Sequence, residues 1–177
     1  MPSMYIRKIS IKILLPIMLF MLAGCTQSEV TFNQAARELP FPVLLPVNLP
    51  DDWGVVETVY EDDLLVISYD TGREGRIELV QDQNIKGMEF FTLRDYMISG
   101  ITSQRLLEEG KSIHEFYGYV GELISFDEPV PTIQYTFVNK QNLFGALEDV
   151  PVYQVIGKQA SLEDLKKILE KLEAVPR

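Results

Sequence analysis

Residues 65–79 read Leu65-Val66-Ile67-Ser68-Tyr69, then Asp70-Thr71-Gly72-Arg73-Glu74-Gly75, then Arg76-Ile77-Glu78-Leu79. In the first run Leu65, Ile67 and Tyr69 alternate with Val66 and Ser68. In the last, Ile77 and Leu79 alternate with Arg76 and Glu78. A period of two puts successive side chains on opposite faces of a strand. The polar, glycine-containing stretch between the runs carries turn chemistry, so the segment predicts a β-hairpin. Val55 to Tyr60, rich in β-branched residues, predicts a strand pairing in front of it.

Strands return further along. Tyr119 to Phe126 has strand composition. Ile133, Tyr135 and Phe137 alternate with Gln134 and Thr136, and Val152 to Ile156 is another strand. Asp127-Glu128-Pro129 and Asn139-Lys140-Gln141-Asn142 punctuate them. Ahead of the hairpin, Pro40, Pro42, Pro46 and Pro50 impose extended or turn-like chain, with room for one short edge strand at Val43-Leu44-Leu45. Asp51-Asp52-Trp53-Gly54 then reads as a turn. Residues 87–112 are the least legible part. Within them Thr92-Leu93-Arg94-Asp95 resembles a capping box, Leu93, Tyr96 and Met97 share a helical face, and Ser99-Gly100 ends the helix.

The clearest helix lies near the C-terminus. Ser161 at the N-cap and Asp164 at N3 form a capping box. Leu162, Leu165, Ile168, Leu169 and Leu172 make one apolar stripe, Glu163 and Lys167 pair at i, i+4, and Pro176 stops any extension. Strands followed by an amphipathic helix predict an α+β fold: an antiparallel β-sheet with the C-terminal helix packed on one face.

The first 24 residues have a different character. Residues 1–12 hold Arg7, Lys8 and Lys12 and no acid, and Ile13 to Gly24 form an apolar run. That is the layout of a secretory signal. A membrane-spanning helix needs about 20 apolar residues; this run has 12 and is interrupted by Pro16. Leu22-Ala23-Gly24-Cys25 resembles the lipobox of bacterial lipoproteins. The resemblance implies that the cysteine sulfur receives a diacylglyceryl group and that the chain is cut between Gly24 and Cys25. Two acyl chains, at about 0.8 kcal/mol per buried CH₂, hold a protein firmly at a bilayer where one chain does so only marginally. Cys25 is the only cysteine in the chain, so no disulfide can form within it. The expected organisation is a signal peptide over 1–24, a lipidated tether over 25–40 in which Thr26-Gln27-Ser28-Glu29 is a short polar stretch, and a single domain over 41–177. The expected location is the extracytoplasmic face of the cell membrane, with lipid on Cys25 as the membrane contact and an envelope protein as partner.

Charge narrows the partners further. Three of the 16 basic residues lie before Cys25, so residues 25–177 hold 13 bases against 26 acids, a net of −13. Such a field repels nucleic acid and anionic headgroups.

Catalytic signatures are absent from the sequence: it has no HExxH, CxxC, GxGxxG or Walker loop. His114, the only histidine, would have to serve any Ser-His-Asp triad, and its ordinary reading is a surface or sheet-edge residue beside Glu115. The acidic pairs Asp51-Asp52, Glu61-Asp62-Asp63, Glu108-Glu109, Asp127-Glu128 and Glu148-Asp149 admit a calcium site or a glycosidase dyad, but solvated loops are the favoured reading. Trp53 and Phe116-Tyr117-Gly118-Tyr119 admit a ligand platform, with sheet core favoured. No cofactor or metal is expected.

The mature chain also resembles a domain family of Gram-positive lipoproteins and of the outer domains of anti-sigma-factor-like membrane proteins. The resemblance runs through Phe41-Pro42-Val43-Leu44-Leu45-Pro46, Leu49-Pro50, Trp53-Gly54, Ser68-Tyr69, Ile77-Glu78-Leu79, Tyr153-Gln154-Val155-Ile156-Gly157 and Ser161-Leu162-Glu163-Asp164-Leu165. It implies an antiparallel sheet with a packed helix and no active site to carry over. The functional expectation is a membrane-tethered binding or sensing module without catalysis. The alternatives are a carrier of a lipid or other apolar ligand in a half-barrel pocket and, third, a cell-wall enzyme.

Overall fold

A computed structural model describes residues 24–82, 85, 87–101, 110–147 and 150–177. Along the chain run helix α1 (Gly24–Glu38), strands β1 (Leu44–Pro46), β2 (Gly54–Glu61), β3 (Leu64–Asp70) and β4 (Arg76–Asp82), helix α2 (Phe90–Ser99), strands β5 (Lys111–Phe116), β6 (Tyr119–Phe126) and β7 (Thr132–Asn139), a 3₁₀ turn (Lys140–Phe144), strand β8 (Tyr153–Lys158), helix α3 (Leu162–Glu170) and strand β9 (Leu172–Ala174). The fold is α+β. Two antiparallel meanders, β2-β3-β4 and β5-β6-β7-β8, join through β4 and β8 into a seven-stranded sheet of order β2-β3-β4-β8-β7-β6-β5. A two-stranded ribbon of β1 and β9 forms a second sheet.

The hairpin expected over 65–79 is β3–β4, with Ile67 opposite Leu79 and Tyr69 opposite Ile77. Two other hairpins close on two-residue turns with both central residues at positive φ: Asp62-Asp63 at 50° and 65°, and Tyr117-Gly118 at 51° and 88°. That geometry matches the natural twist of paired strands.

Partners in register share a face. One face carries Leu65, Ile67, Tyr69, Ile77, Leu79, Tyr135, Phe137, Tyr153 and Val155, all buried, and α1, α3 and the β1–β9 ribbon cover it. Aromatic rings link its centre, with Tyr135–Phe137 at 5.3 Å, Tyr119–Phe137 at 5.0 Å and Phe137–Tyr153 at 5.7 Å between centroids. Gly157 lets α3 sit close on β8: a Cβ there would lie 2.6 Å from Leu165 Cδ1. The second face has a smaller core where α2 and the 3₁₀ turn cover Ile113, Val120 and Val138 with Leu93, Leu143 and Val152. Arg94 holds α2 to that turn by donating to the Leu143 carbonyl.

Several expectations change. The tether expected over residues 25–40 is helical as far as Glu38, and Ala35, Ala36 and Leu39 are buried in the main core. Thr92 caps nothing: α2 begins two residues earlier, with Glu89 at the N-cap, and Thr92 is buried inside the helix. Gly100 does end it, in the left-handed region. Leu172 leaves the α3 stripe, since the helix stops at Glu170 and Leu172 starts β9 against Pro46. On α3 the ion pairs run i, i+3, Lys166 to Glu163 at 2.7 Å and Lys167 to Asp164 at 2.9 Å, in place of Glu163–Lys167. Lys111–Phe116, whose first two residues fall inside the illegible segment, is the edge strand β5.

Candidate binding surfaces

Cys25 lies at the N-terminal end of a helix. Leu22 and Ala23 lie outside the described residues, while Gly24 and Cys25 are the first two residues of α1. At 1.5 Å per residue, Cys25 stands about 15 Å along the axis from Ala35. The far end of α1 is fixed. Leu39 N–H donates to the Ala35 carbonyl at 2.9 Å, and Arg177 Nη2 donates to the Leu39 carbonyl at 3.1 Å. Just beyond, Tyr153 Oη donates to the Pro42 carbonyl at 2.8 Å.

On the second sheet face, beside the chain that leads into α2, lies a recess of about 90 Å³ lined by Lys111, Glu122, Gln134, Thr136 and Gln154, with Gly87 and Ile124. Its polar groups answer one another. Lys111 Nζ is 3.2 Å from Glu122 Oε2, and Glu122 Oε1 accepts the Glu89 N–H at 3.4 Å. Thr136 Oγ1 accepts from Gln154 Nε2 at 2.9 Å and Gln134 Nε2 at 3.4 Å. The Glu122 carboxylate sits among donors at the N-terminal end of α2, where negative charge is favoured. The recess has room for a few waters or one small polar group. Its chemistry is hydrogen bonding around a neutralised charge pair.

His114 lies on β5, the outer strand, in keeping with its sheet-edge reading. Its Nε2 is 2.9 Å from Ser112 Oγ, and its ring stacks on Phe116 at 5.5 Å. The i, i+2 spacing on a strand, a signal the sequence contained, brings the serine and histidine together. Burial, and then the positive Lys166, pushes the imidazole below its ordinary range. Among the described residues no carboxylate hydrogen-bonds Nδ1, the third member that a serine nucleophile requires.

The acids are dispersed. Asp51-Asp52 and Asp62-Asp63 sit in exposed turns and Asp127-Glu128 in an exposed bend; Glu108-Glu109 and Glu148-Asp149 lie outside the described residues. Among the described residues no three His, Cys, Asp or Glu side chains are grouped to hold a metal. Trp53 packs on the main core with Lys167 Nζ 5.4 Å above its ring, and Tyr119 is buried while Tyr117 is exposed at the hairpin tip.

Comparison with known protein families, with curated proteins and with solved structures finds no match to this chain. Among the described residues no helix is long and apolar enough to cross a membrane.

Proposed function

We propose that the chain is exported, lipidated on Cys25, and held at the extracytoplasmic face of the cell membrane as a non-catalytic binding or sensing module. The observation that carries this is the Leu22-Ala23-Gly24-Cys25 box after an apolar run, with its cysteine at the head of a helix whose far end is locked into the domain. A lipid on that sulfur would be joined to the domain through α1. The acidic balance of residues 25–177 directs the domain toward cationic partners and away from anionic headgroups. The apolar sheet face is filled by the chain's own helices and aromatic rings, which favours recognition at the surface over an enclosed apolar ligand.

Metabolic labelling with radioactive palmitate tests the anchor. The native chain should take up label and sediment with membranes, and Cys25→Ala should do neither. Equal label and equal sedimentation for both chains would overturn the reading.

A further inference from the structure

The seven-stranded sheet has two open edges, β2 and β5, and they differ in character. An edge strand presents unpaired N–H and C=O groups, and proteins usually blunt it with charged side chains, lysine above all, with proline, a bulge or short length. β2 is eight residues long, Gly54-Val55-Val56-Glu57-Thr58-Val59-Tyr60-Glu61, and contains neither lysine nor proline; a bulge at Val56 interrupts its first part and leaves Glu57 to Glu61 regular. Val55, Val56 and Val59 are 44%, 55% and 39% exposed. Its backbone pairs with β3 alone among the described residues. α1 packs near it at Tyr60, Thr58 and Tyr60 are only half-buried, and the other six residues are exposed.

Acids predominate along this edge, with Arg73 and Arg76 bordering it beside Val56. From Glu38 to Gly72 the chain holds eight acids and no lysine or arginine. Glu57, Val59 and Glu61 stand at alternate positions, so they share one face of β2. Arg76 reaches Glu57 at 2.7 Å from β4. At the opposite edge, β5 has six residues, starts with Lys111, and has Lys140 bound to Glu115 at 2.6 Å. A lysine-bearing strand is the usual form of a protected edge.

We infer that the outer edge of β2 docks an extended cationic polypeptide segment, added antiparallel or parallel as an eighth strand. This names the partner class of the binding module proposed above and rests on that reading. Main-chain hydrogen bonds supply affinity in strand addition, and alternate side chains supply specificity. The incoming strand matches best with an apolar residue facing Val59 and a cation facing Glu61, while Glu57 is already paired with Arg76. Opposite charges and apolar pairs directly across strands are favourable, and like charges are not. A second copy of this chain fits less well, because residues 25–177 of each copy bring a net charge of −13 to the contact.

The probe is a synthetic peptide alternating Lys-Thr-Val-Thr, titrated by fluorescence anisotropy against the full-length chain in uncharged detergent micelles. Amide hydrogen exchange of β2 is followed in parallel. The expected result is binding that protects the β2 amides and weakens at least tenfold in the double variant Val59→Lys, Glu61→Lys. Both positions are exposed, and far-UV circular dichroism checks that the sheet survives. A peptide of equal charge with proline replacing threonine should bind at least tenfold more weakly, since proline cannot donate to a ladder. Equal binding of the proline peptide, unchanged affinity of the double variant, or unprotected β2 amides would overturn the inference. Protection without peptide, accompanied by a doubled mass in sedimentation, would assign the edge to a second copy and overturn it too. Palmitate labelling of Cys25 is unaffected by any of these results, so failure of strand addition and failure of the anchor are separately visible.

Discussion

At the scale of single residues, Gln81 ties the two sheets together. Its side chain is fully buried on the main core face. Nε2 donates to the Leu44 carbonyl at 2.8 Å and Oε1 accepts the Leu44 N–H at 2.8 Å. The carboxamide thus gives β1 the two bonds that a neighbouring strand would have given. Gln81→Leu keeps the volume and removes both partners, leaving two buried backbone groups unsatisfied at about 1–3 kcal/mol each. We expect a loss of about 2–4 kcal/mol in urea unfolding; an unchanged midpoint would mean that Leu44 has other partners. Nothing in the sequence marks this glutamine, because its signal is a partner 37 residues away. His114 gives a second test. Its folded pKa lies below the ordinary value near 6.5, so the unfolded chain binds more protons between the two values. Its contribution is therefore complete above about pH 6.5 and is lost as pH falls through the folded value. Lys166, itself paired with Glu163, is the cation facing it, and Asp164 weakens the fold only at more acid pH. Between about pH 7 and pH 5 the urea midpoint should fall more steeply for the native chain than for His114→Gln. Parallel profiles would contradict this assignment.

At the scale of elements, the helices show what a sequence reading can and cannot reach. Ser161 and Asp164 cap α3 as their spacing implied. Ser161 Oγ accepts the Asp164 N–H at 3.2 Å, and the Asp164 carboxylate accepts the Ser161 N–H at 3.1 Å. Burial alone would raise the Asp164 carboxyl, but hydrogen bonds from Ser161 and Lys167 outweigh it and hold it below its ordinary range. Ser161→Ala should cost about 1 kcal/mol in unfolding free energy, and a loss under a few tenths would show the cap to be idle. The α3 capping box was legible because every participant lies within four residues. The α2 start was not, since Thr92 has the right chemistry but faces the small core, and Glu122, from β6, approaches the helix start instead. β5 was illegible for a related reason. Its one buried residue, Ile113, faces the small core, and on the other side Ser112, His114 and Phe116 give only one apolar residue in three, so the period of two is masked. β2 was legible as a strand, whereas its place at the sheet edge depends on pairings made far along the chain.

At the scale of the whole molecule, the question is how a lipid at one end would be mechanically joined to the fold. The tether expected over residues 25–40 is mostly the helix α1, and the end of it that docks does so through small residues. Ala35 and Ala36 give a weak apolar signal, yet their size lets the helix approach the core closely, and Leu39 and half-buried Phe32 complete the contact. A lipid on Cys25 would then reach the core through a single helix. The two readings differ sharply for Leu39→Ala. In a solvated leash this change would move stability by no more than about 0.5 kcal/mol. In the docked arrangement Leu39 is 1% exposed, and truncating a buried leucine typically costs about 2–5 kcal/mol. The measurement is urea unfolding of the full chain in detergent micelles, with Phe91→Ala, at 69% exposure, as the reference for a surface apolar residue. A Leu39→Ala loss no larger than that of Phe91→Ala would return α1 to the status of a leash. A loss of about 2 kcal/mol or more would make the segment after Cys25 part of the domain itself, and would fix the distance at which a lipid on that sulfur holds the acidic β2 edge from the bilayer.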